Sequence, residues 1–81
     1  MTGRRILFAD DDPGVQRALK RLAEKNGFEL VPVLAGADVY QAALAEAPDL
    51  IVLDIQFPDA DGRDVLSRLK ADARTSAIPE T

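Results

Sequence analysis

Three short apolar runs, each followed by a stretch with helical spacing, restrict this chain to a narrow set of folds. Arg5 to Ala9 is continuously apolar after its arginines, as a strand buried on both faces must be. Phe28 to Leu34 is the second run. Leu50-Ile51-Val52-Leu53 is the third and the most apolar stretch of the chain. Such runs alternating with helical segments predict βα units around a parallel sheet, an α/β fold.

The punctuation between the runs agrees. Asp12-Pro13 sets an N-cap before proline at the first helical position. Val15, Ala18, Leu19 and Leu22 then recur at helical spacing as an inner stripe, with Arg17, Lys20, Arg21 and Glu24 facing outward. Asn26-Gly27 closes this first helix. Pro32 lies inside the second run and cannot donate to a ladder, so that strand belongs at a sheet edge. A second helix is predicted from about Ala37 to Ala47, with Val39, Tyr40, Ala43 and Leu44 inward, and Pro48-Asp49 breaks it. Residues 57–62 form a loop. A third helix runs from about Arg63 to Ala73, with Val65, Leu66 and Leu69 inward. Ala77 to Thr81 begins an element that these residues do not finish.

With 81 residues there is room for one small domain. Cysteine and histidine are both absent. That removes disulfides, thiolate and imidazole metal sites, and Ser-His-Asp or Cys-His catalysis. A small core without such staples is marginal. Ten basic against fourteen acidic residues give a net charge of −4, with no electrostatic footprint for nucleic acid in this segment. The run behind Arg4-Arg5 is stopped by Asp10 well short of a signal h-region, and no segment reaches membrane-spanning length. A cytoplasmic protein is expected.

What remains for chemistry is carboxylate. The first strand ends at Asp10-Asp11-Asp12 and the third at Asp54. Ligands of an open α/β sheet bind beyond the carboxyl ends of its strands. If these two strands are neighbours, roughly 4.8 Å apart, then Asp10, Asp11 and Asp54 converge on one small volume. Carboxylates that close require protons or a cation. Mg²⁺ suits an all-oxygen set that leaves room for waters and phosphate oxygens. Structural roles compete for the other acids: Asp12 is explained as a helix cap, and Asp59 and Asp61 as turn formers. Asp10 and Asp11 taken singly read as solvated loop residues. Asp54 differs, because an acid at the mouth of a core strand costs free energy unless it is paired.

The residues from Ile6 to Pro13, then Pro48 to Gly62, and finally Ile78-Pro79 resemble the receiver domains of bacterial two-component systems. The middle block is the most specific. The resemblance implies a flavodoxin-like, doubly wound parallel sheet whose full strand order is 2-1-3-4-5, of which the first three βα units, in order 2-1-3, are present here. It implies that Asp54 takes a phosphoryl group from a phosphohistidine on a sensor histidine kinase or phosphotransfer protein. Asp11 and Asp54 would bind Mg²⁺ directly, Asp10 through water, and Gln56 through its backbone carbonyl. Such a module turns over no independent substrate and is not an enzyme in the ordinary sense. Phe57 stands where the family often has methionine, and either serves as an apolar plug.

One departure is larger. After Ile78-Pro79 the family continues with a fourth strand ending in Ser or Thr, and later a lysine that contacts the phosphoryl group. Neither Thr81 nor Lys70 replaces them. Residues 1–81 therefore read as a partial receiver with phosphoryl chemistry impaired. A bare third-strand edge and an uncovered sheet face are expected to drive self-association. Two other functions compete for these residues. A receiver-like interaction module that is never phosphorylated fits the same residues. A hydrolase of the haloacid-dehalogenase type needs a second acid where Gln56 stands, and fits poorly.

Overall fold

The structure is a computed structural model and describes residues 4–54 and 57–80. Its elements are β1 (Arg5–Ala9), α1 (Pro13–Lys25), β2 (Glu29–Val33), α2 (Val39–Glu46), β3 (Leu50–Leu53) and α3 (Gly62–Ala71), with a single 3-10 turn at Gly36–Asp38 leading into α2. The strands form one parallel sheet in the order β2-β1-β3, the flavodoxin-like arrangement of the first three βα units. Phe8 lies beside Pro32 on one side and Val52 on the other. Pro32 therefore sits in an edge strand, where its missing N–H removes no ladder bond.

Caps fix where the helices begin and end. Asp12 accepts hydrogen bonds at one carboxylate oxygen from the N–H groups of Gly14 and Val15, at 2.8 and 3.3 Å, and Pro13 opens α1. Gly27, at φ 82°, makes the left-handed exit that a side chain would strain. Asp61 caps α3 by accepting from Arg63 N–H at 2.9 Å. The 3-10 turn delays α2 to Val39, two residues after its expected start. α3 stops at Ala71 because Asp72 turns extended.

The strand side chains alternate between two faces. Leu7, Ala9, Val33 and Ile51 point to one face and pack against Val39 and Ala43 of α2 and Val65 and Leu69 of α3. Every one of these is buried. Ile6, Phe8, Leu30 and Val52 point to the other face, which α1 alone covers among the described residues. There the expected inner stripe of α1 is corrected. Val15, Ala18 and Leu22 are exposed, and the line turned inward is Gln16, Leu19 and Ala23. The helix is rotated by one position, because the Gln16 amide docks onto the strand ends.

The β3 edge is also less bare than the sequence suggests. Ile51 N–H donates to the Pro79 carbonyl at 2.9 Å, and Ile51 and Glu80 form a parallel bridge. The Glu80 carboxylate is buried there with Lys70 Nζ 3.2 Å away. That distance makes an ion pair, although neither oxygen accepts a well-aligned hydrogen bond among the described residues.

Candidate functional site

The ends of β1 and β3 are held together by main-chain bonds that carry acidic side chains with them. Asp54 N–H donates to Ala9 O at 3.0 Å, extending the β1–β3 ladder one step past β3. Asp10 N–H donates to Val33 O at 3.0 Å and fastens the end of β1 to β2. Beyond that point the chain turns, with Asp12 N–H donating to the Asp10 carboxylate at 2.9 Å.

The result is a convergence of three acids. One carboxylate oxygen from each of Asp10, Asp11 and Asp54 lies within 4.8 Å of the others. Asp10 and Asp54 are half-buried and Asp11 is exposed. Ionised together at that spacing, each pair repels by at least about 3 kcal/mol at an effective dielectric of about 20. A divalent cation reverses the sign of that interaction. The donors are all hard carboxylate oxygens, which selects Mg²⁺ or a similar ion over the softer metals. The residues present thus fit the ion. Gln56 lies outside the described residues, so its carbonyl is not placed.

Two contributors escaped the sequence reading. Gln16 is buried at 5% exposure, and its Nε2 donates to the carbonyls of Phe8, Asp10 and Val33 at 2.8, 3.1 and 3.1 Å. Its signal was present: Gln16 precedes Leu19 by three positions and Ala23 by seven, the spacing of a shared helix face. Asp59, read as a turn former, instead reaches across to the loop before α2. Its carboxylate accepts from Gly36 N–H at 3.0 Å and Ala37 N–H at 2.9 Å. These bonds, Ala37 first and Gly36 second, hold the Asp59 carboxyl below the usual range. A Cβ on Gly36 would stand 2.8 Å from Ala60 Cβ, so only glycine lets the two loops meet. No spacing in the sequence announces a contact between residues 36 and 59.

Known proteins are similar to this chain in sequence and in fold. A putative transcriptional regulator of Pseudomonas aeruginosa is 40% identical over 68 residues, covering 83% of this chain and 33% of its own. PrrA of Mycobacterium tuberculosis is 39% identical over 71 residues, 88% of this chain and 30% of its own. PilH of Pseudomonas aeruginosa is 37% identical over 75 residues, 93% and 62% respectively. The chain thus spans about a third of the length of the two regulators. The N-terminal domain of a response regulator receiver protein from Methanoculleus marisnigri superimposes with a TM-score of 0.90 at 32% identity, over 95% of this chain and 63% of that one. The receiver domain of the sensor histidine kinase PA1611 of Pseudomonas aeruginosa, crystallised with magnesium in its active-site cleft, shares the fold with a TM-score of 0.89 at 23% identity, over 98% and 65%. The sequence profile described as response regulator receiver domain matches residues 6–79, the span that contains β2, β3, all of β1 but Arg5, and the acidic convergence at the strand ends, and the chain belongs to that family.

Proposed function

We propose that Asp54 is the phosphoacceptor of a two-component phosphorelay, served by a sensor histidine kinase or a phosphotransfer protein. The observation that carries this reading is the meeting of three carboxylates within 4.8 Å at the carboxyl ends of adjacent strands. An Asp54 carboxylate oxygen attacks phosphorus in line. The P–N bond to the donor imidazole breaks, the bonding pair leaves on nitrogen, and an acyl phosphate forms on Asp54. Asp11 and Asp54 directly, Asp10 through water and, by the family resemblance, the Gln56 carbonyl would hold Mg²⁺, which would neutralise charge on the phosphoryl oxygens. The magnesium in the cleft of the PA1611 receiver supports that choice of ion. The module transfers a signal rather than turning over a substrate, and it works in the cytoplasm with its kinase. No described helix is long and apolar enough to cross a membrane.

Incubation with a small phosphodonor and Mg²⁺ should add one phosphoryl mass to the chain. Asp54→Asn should abolish the gain, and chelation of Mg²⁺ should slow it by at least about 10²-fold, as expected when charge neutralisation is removed from a phosphoryl transfer. An unchanged gain in Asp54→Asn refutes the assignment.

The face over α1 favours a second reading, an assembly module that is not phosphorylated. Its groove of about 410 Å³ is lined by Ile6, Phe8, Leu19, Leu22, Phe28 and Val52, among others, with no charged side chain among the described residues. An uncharged apolar surface complements itself across a two-fold axis, so a second copy of this chain is the expected partner. The phosphodonor experiment separates the two readings, since this one requires no mass gain.

A further inference from the structure

We infer that Gln16 is a positioning residue for the acidic centre, fixing through its side-chain amide the peptide from which Asp11 projects. This rests on the reading of Asp10, Asp11 and Asp54 as a cation-binding phosphoacceptor site.

Asp10 is held at both of its backbone groups. Its N–H donates to Val33 O at 3.0 Å, and its carbonyl accepts from Gln16 Nε2 at 3.1 Å. That carbonyl belongs to the peptide unit joining Asp10 to Asp11, so its orientation sets the direction in which Asp11 leaves the strand. The same Nε2 also serves Phe8 O and Val33 O, which ties the peptide to the ends of β1 and β2 together. Two amide hydrogens shared among three carbonyls leave this corner little freedom.

Stability alone accounts poorly for a glutamine here. Gln16 Oε1 is buried without a hydrogen-bond partner among the described residues. An unsatisfied buried oxygen costs an amount similar to what the neutral hydrogen bonds return. What an amide offers that an apolar side chain does not is a neutral donor beside three acids. It orients backbone without bringing a positive charge that competes with the cation.

The test is Mg²⁺ affinity, measured by calorimetry on the full chain where circular dichroism shows it folded. Gln16→Met keeps the length and loses the donor. Gln16→Asn keeps the amide but falls short by one methylene, and gives a second route should Gln16→Met unfold. Both should raise the Mg²⁺ dissociation constant about tenfold, equivalent to about 1.4 kcal/mol. Leu19→Ala, half-buried on the same inward line of α1 but away from the carbonyls, should lower the melting midpoint and leave the Mg²⁺ dissociation constant unchanged. Wild-type Mg²⁺ affinity in both Gln16 variants overturns the inference, as does an equal loss in Leu19→Ala. If the unaltered chain and Asp11→Asn show the same negligible Mg²⁺ binding, the phosphoacceptor reading itself has failed and takes the inference with it.

Discussion

The two faces of the sheet are built from the same strands and nearly the same residue types, yet one is closed and the other open. Leu7, Ala9, Val33 and Ile51 face α2 and α3, and none of these side chains is more than 5% exposed. Phe8 and Leu30 face α1 and are each 8% exposed, but the residues around them are not sealed: Leu22 is 56% and Phe28 39% exposed. Composition does not explain the contrast; connection handedness does. A right-handed crossover from β1 out to β2 puts α1 on one face. The return crossover from β2 past β1 to β3 runs the opposite way and puts α2 on the other. α3 joins α2, so one face carries two helices and the other carries one.

The largest expected effect follows from that difference. Leu69→Ala removes a fully buried side chain from the closed face and should cost about 2–5 kcal/mol, enough to unfold much of so small a domain. Leu22→Ala, on the open face, should stay within about 0.5 kcal/mol. Urea unfolding followed by circular dichroism reads both. Equal losses would mean that the open face is covered in solution.

Phe28→Asp then asks what covers it. If copies of the chain meet through this groove, a charge at its rim should raise the self-dissociation constant at least about tenfold by sedimentation, since a desolvated carboxylate opposes burial. The same charge at Arg63, exposed at the start of α3, should change nothing. Sensitivity to Arg63→Asp and not to Phe28→Asp would place self-association elsewhere.

How far the sequence anticipated this architecture depended on whether the controlling contact was local. The strands and their order were legible because Leu50 to Leu53 must be buried and Pro32 must lie at an edge. The acidic cluster was legible because two strand ends carry acids and neighbouring strands bring their ends together. The rotation of α1 was not. Val15, Ala18, Leu19 and Leu22 make a wholly apolar stripe that a line headed by Gln16 does not match, and only the carbonyls of Phe8, Asp10 and Val33 turn Gln16 inward beside Leu19 and Ala23. Periodicity weighs side chains by polarity, and here a polar one had the tertiary partners. Pairing at Ile51 by Pro79 and Glu80 was hidden for a similar reason, since a bridge of one residue leaves no pattern.

The loops repeat the contrast on a smaller scale. At the open-face loop the strand ends are tied by a neutral amide, Gln16. At the closed-face loops the tie is a carboxylate, Asp59, accepting from Gly36 and Ala37. Only the second should respond to pH. The Asp59 carboxyl is held below its ordinary value of 3.8 in the folded chain. A lowered folded value means that the stabilisation is fully present above 3.8 and is lost as pH falls through the folded value. Asp59→Ala should therefore melt below the unaltered chain at pH near neutrality, and the gap should narrow steadily as the pH falls from about 4. Asp59 is exposed, so this effect should be the smallest of the set and weakened by salt. Gln16→Met should melt with a gap that does not change over the same range. If the Asp59 gap is also flat, the ionised carboxylate is not what joins the loop after β3 to the start of α2. The contact would then rest on the fit of Gly36 against Ala60 and Phe57.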